Sequence, residues 1–324
     1  YVLAYIPVGV PVVKEAFDGA NAGVTMDGKV YGIPFTQEGY GFIYNAAILN
    51  KAGINPDEIT SYAKLEEAVK KLDAKKAELG LEAVFAVAGK ETWVTGLHFT
   101  NAALSPEFEN VFNAFNAKKI DFKYSEGMKK LFDLQINYAK KPVNSVDYST
   151  QVEKLFSLGK VAFMQQGNWT LGAIKGIDEE LAANIGFLPM PIVGAKEDSI
   201  PVGIPMYWTV NSTKDEKTQA AAKAFLNWMY TSEKGKDAII NKFGFIPPFK
   251  GFDSPDLQPK DALAKDIMKY ASAGKTIQWV FMGYPSGWGM EKIGVDLQKY
   301  VDGKLTWDQL IENGKKSWEE ARKQ

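Results

Sequence analysis

Cysteine is absent from the 324 residues and histidine occurs once, as His98, which removes the raw material for a structural zinc site, a thiolate nucleophile or a Ser-His-Asp triad. Carboxylates are the only plentiful catalytic groups left. An excess of either charge is also missing. Against 38 Lys and Arg stand 39 Asp and Glu, a formal net charge of -1, so the chain sets up no field that would draw in DNA or an acidic membrane. No window holds the roughly 18 apolar residues of a membrane helix, and no charged-then-apolar signal segment opens the chain. The lack of thiols does not fix the compartment, because reducing and oxidising surroundings tolerate such a chain equally. His98 lies among apolar neighbours in VTGLHFTNAAL, which predicts a packed imidazole rather than a catalytic one.

A chain of this length with 46% hydrophobic residues exceeds one typical core and predicts two lobes. Eight Trp and 14 Tyr are more than core filling demands, and several stand beside Gly and Pro in turns. TMDGKVYGIPF reads as a hairpin turning at Asp27-Gly28, with GFIYN as a second strand. SYAKLEEAVKKLDAKKAELG sets Leu65, Ala68, Val69 and Leu72 at helical spacing and stops at Gly80. LEAVFAVAG suits a strand buried on both faces. Three pairs have the capping-box spacing of a helix start: Thr150 with Glu153, Thr213 with Glu216, and Thr306 with Gln309. The alternation of helices and short buried strands predicts α/β layers. Two Pro/Gly-rich stretches, 188–205 and 243–252, interrupt the pattern and suit links between lobes.

The phrases DGKVYGIPFTQEGYGFIYN, VDYSTQVEKLFSLGKVAFMQQGNW and FLNWMYTSEKGKDAIINKFGFIPP, in that order, resemble the extracellular solute-binding proteins of carbohydrate ABC importers, the maltose-binding-protein-like group. The likeness is to the oligosaccharide binders of Gram-positive bacteria, and it runs from about Asp27 to the C-terminus. The resemblance implies an α/β, two-lobed periplasmic-binding-protein-like fold with three inter-lobe crossings, near 38–41, 190–203 and 245–250. One lobe would comprise 1–40 plus 203–247 and the other 41–202 plus 248–324. In the family the DGKxYGxP segment follows several strand and helix units. Here it appears at residue 27, so the first lobe is expected to be incomplete. The resemblance further implies a neutral oligosaccharide ligand held between the lobes, the permease subunits of an importer as partners, no cofactor or metal, a monomer, and an extracellular or periplasmic protein with a lipoprotein anchor.

A pyranose presents hydroxyls at its rim and weakly polarised C–H groups on its faces, so its site needs planar polar groups at the edges and aromatic rings above and below. Trp169 closes FMQQGNW just past a buried strand, where α/β sheets gather ligands. The matching tryptophan in the family stacks on sugar, and Gln166 and Asn168 beside it have amides suited to hydroxyls. The family's acidic position at the first crossing corresponds to Glu38, with Tyr40 close behind it. Trp288, between glycines in YPSGWGM, is expected to project from a loop and stack, and Tyr284 and Trp279 lie in the same stretch. In IPMYWTVN, Met206 and Trp208 face one side of a strand and Tyr207 the other; Met206 and Tyr207 are taken as candidates. Trp93 in GKETWVTG follows a buried strand and completes the set. Trp228, Trp307 and Trp318 sit at packed-face spacings on helices and are assigned to the core. Two rival functions remain: a glycoside hydrolase, which would need a pair of carboxylates at strand ends, and a binder of a non-sugar solute such as a polyamine, which would want several carboxylates around its tryptophans.

Overall fold

The computed structural model describes residues 4–17, 19–252 and 254–323. The chain divides into two compact units, Tyr1–Glu38 with Gly203–Lys265, and Gly39–Val202 with Asp266–Gln324.

In the smaller unit the Asp27-Gly28 turn takes positive φ at both positions, 48° and 71°. That conformation matches the twist of a two-residue hairpin, here Thr25–Met26 with Lys29–Val30. A three-stranded antiparallel sheet sets Tyr207–Asn211 between Tyr5–Ile6 and Gly32–Pro34. The helix Glu216–Thr231 lays Leu226, Met229 and Tyr230 on one face, and these pack with Val8, Val12, Ile33, Val210 and Phe249 into the unit's core. The stretch 243–252, expected as a crossing, stays within this unit. Its Ile246 carbonyl accepts from the Gln37 amide at 2.7 Å and its Ile246 amide donates to the Thr36 hydroxyl at 3.0 Å. Phe249 and Phe252 are buried in the same core. The chain leaves this unit only after Lys265, because Phe249 and Phe252 anchor the stretch there.

The larger unit is built on a six-stranded sheet in which Glu38–Asn45 pairs antiparallel with both Phe163–Gly167 and Ile185–Leu188. Phe85–Ala86 lies parallel beside Phe163–Gly167, and Thr276–Ile277 beside Ile200–Gly203. All five residues of FMQQG are buried, as expected of a strand covered on both faces. LEAVFAVAG is buried too except at Glu82, but only Phe85–Ala86 pairs as strand; the amides of Val84 and Phe85 turn to the Tyr138 carbonyl instead. The helix Tyr62–Ala74, capped by Ser61, buries Leu65, Ala68, Val69 and Leu72. It ends at Ala74, and further turns carry the chain to Gly80 at φ 68°.

Of the three capping boxes, only Thr306 with Gln309 forms, with both reciprocal bonds present. Asp147 accepts from the Thr150 amide at 2.9 Å, and Asp215 accepts from the Thr218 amide at 3.0 Å. A carboxylate two or three residues from the expected threonine takes the cap in each case, because it accepts more strongly than a hydroxyl.

Candidate functional site

The end of the strand Phe163–Gly167 and the facing Tyr40 begin the site. Tyr40 sits opposite Gly167 in the sheet register, and its ring stacks on His98 with centroids 4.2 Å apart and planes 16° from parallel. Beyond Gly167 the chain makes a short turn of 3-10 helix at Asn168–Thr170. The Asn168 side-chain oxygen fixes that turn by accepting from the Gly39 amide at 3.1 Å. The turn places Trp169 5.3 Å from His98 and 6.3 Å from Trp93. Trp279 lies 5.6 Å from Tyr40, and Phe281 lies 5.3 Å from His98. Tyr148 flanks Trp93 at 6.3 Å. Trp93, Tyr148, Trp169 and Phe281 keep part of their surface exposed, whereas Tyr40, His98 and Trp279 are buried beneath. Wide π-type helical turns at Val94–Phe99 and Thr150–Phe156 flank this cluster.

Both half-exposed indoles have their N–H groups committed to the protein. Trp169 donates to Gln166 Oε1 at 3.0 Å and Trp93 to Glu91 Oε2 at 3.1 Å. The indole N–H of Trp279 is buried with no acceptor among the described residues. Burial holds the His98 imidazole neutral by lowering its pKa to about 3, and burial first of all raises the Tyr40 hydroxyl well above its ordinary value. Among the described residues, Glu91 is the carboxylate hydrogen-bonded to the cluster, and it is already bonded to the Trp93 indole and the Tyr148 amide. The surface is therefore an uncharged aromatic platform with the partly exposed Asn168 at one edge, able to stack on a flat apolar face and, among the described residues, equipped with no pair of free carboxylates. Among the described residues no group of three or more His, Cys, Asp or Glu is arranged to hold a metal.

The expected site residues divide. Tyr40, Trp93, Gln166, Asn168, Trp169 and Trp279 come together in the larger unit. Tyr284 and Trp288 lie in that unit too, but not as surface rings. Trp288 is 1% exposed, packs edge-on against Tyr284 and Trp318, and donates to the Gly314 carbonyl at 3.1 Å. Gly287 takes φ 72° ahead of the wide turn Trp288–Ile293, and this turns the ring inward instead of freeing it outward. A Cβ at Gly289 would meet the end of the Leu97 side chain, so the glycine lets the two segments pack closely. Met206, Tyr207 and Glu38 belong to the smaller unit. Met206 is exposed, the Tyr207 hydroxyl donates to the Ala20 carbonyl, and burial pushes the Glu38 carboxyl up to about 7. Trp307 and Trp318 are buried as expected, but Trp228 is 45% exposed beside Phe225. Gln151, Gln165, Tyr148 and Phe281 were not anticipated. For Gln151 the signal was present: in TQVEKLF it shares a helical face with Val152, Leu155 and Phe156, all buried.

Two discontinuous α/β units and an aromatic platform at a strand end place the molecule among the solute-binding proteins. The sequence profile of the bacterial extracellular solute-binding protein family matches residues 5–268, and the chain belongs to that family. It is similar to the melibiose/raffinose/stachyose-binding protein MelE of Bacillus subtilis (strain 168), with 28% identity over 218 residues. That match takes in 62% of this chain and 47% of MelE, so the chain spans about half the length of this curated relative. Among solved structures it is similar to the apo-form of RafE from Streptococcus pneumoniae, with a TM-score of 0.76 and 17% identity over 99% of this chain and 80% of that one. A sugar transporter from Bacillus licheniformis in complex with stachyose gives a TM-score of 0.73 and 18% identity, covering 98% of this chain and 81% of that one. At these identities the solved structures establish the fold. No helix among the described residues is long and apolar enough to cross a membrane.

Proposed function

We propose that this chain binds a neutral oligosaccharide and delivers it to an ABC importer, without chemistry on the sugar. The observation that carries the reading is the platform of Trp169 and Trp93, whose indole N–H groups are already bonded inside the protein, so that what the rings can offer a ligand is their π faces. Such faces suit the C–H surface of a pyranose. Family membership and the sugar-binding relatives agree with this choice. The proposal extends to Glu38, Met206 and Tyr207 as further contacts, to closure of the protein on its sugar, to a monomeric state, to permease subunits as partners, and to an extracellular location with a lipoprotein anchor as in Gram-positive bacteria.

Calorimetry with gluco-, xylo-, manno-, galacto- and fructo-oligosaccharides tests it. At least one should bind, and Trp169→Ala should weaken that binding by about 1 kcal/mol or more while the thermal unfolding temperature stays near that of the parent. No binding across the panel, or unchanged affinity in Trp169→Ala, rejects the site. Hydrolysis products after prolonged incubation would instead make the protein a glycosidase.

A further inference from the structure

The Trp169 ring is held at two of its edges, and both restraints come from residues that have no exposed surface of their own to offer a ligand. Along the pyrrole edge runs a chain of side-chain amides. The indole N–H donates to Gln166 Oε1 at 3.0 Å, Gln166 Nε2 donates to Gln151 Oε1 at 2.8 Å, and Gln151 Nε2 donates to the Ala86 carbonyl at 2.8 Å. Gln151 and Gln166 are 0% and 1% exposed. Along the benzo edge the ring rests on Gly167, where any Cβ would collide with the six-membered ring.

The direction of this chain has one solution. A backbone carbonyl can only accept, so Gln151 must turn its NH2 toward Ala86 and its oxygen toward Gln166. Gln166 must then turn its own NH2 toward Gln151 and its oxygen toward the indole. An acceptor for the Trp169 N–H is thereby guaranteed from two residues away, and a reversed amide at either link would face like against like in a dry interior.

We propose that Gln151 is a positioning residue for the ligand platform: it acts through Gln166 to fix the plane of the Trp169 ring, and so sets affinity for a stacked ligand that it does not touch. The role in ligand binding rests on the oligosaccharide reading above, whereas the restraint on the ring does not, and the two are tested separately. In the 15N–1H spectrum of the whole ligand-free chain, the Trp169 indole peak is identified by its loss in Trp169→Phe. Gln151→Leu should shift that peak and speed its exchange with solvent, and should leave the indole peaks of Trp307 and Trp318 in place. If Gln151→Leu does not fold, Gln166→Leu cuts the same chain one link nearer the ring and is read at the same peak. A Trp169 peak unmoved by the cut overturns the relay.

Raffinose and stachyose are the probes for the second arm. Gln151→Leu should weaken their binding about three- to tenfold in the parent and produce no further loss in Trp169→Phe, which keeps an aromatic face but has no N–H to hold. Equal losses in both backgrounds would make Gln151 a merely structural residue and overturn the positioning role. A shifted indole peak with neither these two sugars nor any of the panel bound by the parent would uphold the restraint and reject the role in binding, a failure of the oligosaccharide reading rather than of the relay.

Discussion

Removing the Trp288 ring would empty a space walled by Tyr284, Trp318 and Phe122 and leave the Gly314 carbonyl without its indole donor. Loss of a buried aromatic of this kind costs about 3–5 kcal/mol. Trp228→Ala takes away a ring that is 45% exposed and should cost less than about 1 kcal/mol. Denaturant unfolding of the two variants checks this, and equal losses would show that burial does not set the difference. Local sequence suggested the opposite ranking, since Trp288 stands between glycines and Trp228 at a core-like helical spacing. Glycine permits a ring to turn either way, and spacing identifies a face without saying whether anything covers it. The position of Trp169 just past a strand was legible because FMQQG is a buried run that ends at Gly167, and the turn Asn168–Thr170 follows it directly. His98 was legible too, as a packed imidazole. Its pKa is lowered to about 3 by burial, so above about pH 6.5 it is neutral in folded and unfolded chains alike and shifts nothing. As pH falls toward 3 the unfolded chain takes up the proton first, and stability is lost by up to about 1.4 kcal/mol per pH unit. Between pH 6.5 and 5 the parent should lose about 1–2 kcal/mol more than His98→Phe, and identical pH profiles for the two would refute a buried neutral imidazole.

At the level of elements, the helix Trp307–Ala321 begins where its sequence says, because Thr306 and Gln309 satisfy each other's amides. Thr306→Ala should therefore destabilise the larger unit by about 1 kcal/mol. Thr213 has the same spacing to Glu216 but turns its hydroxyl to Asn211, while Asp215 holds the cap. Thr213→Ala should stay within about 0.5 kcal/mol of the parent. Thermal unfolding separates them, and a Thr213 loss equal to that of Thr306 would mean that Thr213, not Asp215, caps this helix. Helix faces and the Asp27-Gly28 hairpin were readable because periodicity and turn chemistry are local properties. Strand extent was not. Whether VFAVA pairs along its whole length depends on which carbonyls the rest of the chain brings alongside, and Tyr138 lies more than fifty residues away in sequence. The glutamine relay was hidden for the same reason, since Gln151 and Gln166 meet across a helix and a strand.

Over the whole molecule, the order of three phrases identified the family, whereas composition misplaced one boundary between units. Proline and glycine mark where a chain turns, and the stretch 243–252 does turn, but its apolar residues Phe249 and Phe252, with Phe245 packed against them, keep it inside the smaller core. Apolar anchors outweigh backbone composition in deciding which unit owns a segment, since burying one such side chain contributes about 1.5–3 kcal/mol. Charge is the remaining property of the whole chain, and it yields a test of ligand class. The formal net charge is -1, the platform rings present π faces, and the one carboxylate bonded into their cluster, Glu91, is tied to protein donors. A neutral oligosaccharide bound on such a surface gains nothing from long-range Coulomb attraction, so raising NaCl from about 0.05 to about 0.5 M should change its Kd by less than about twofold. A polyamine has to be held by carboxylates, and the shrinking Debye length would weaken its binding about tenfold or more over the same range. Calorimetry at the two salt concentrations reads the difference directly. A steep salt dependence for whatever solute binds would mean that carboxylates away from the platform carry recognition, and that the indole faces of Trp169 and Trp93 are packing against a cation rather than a sugar.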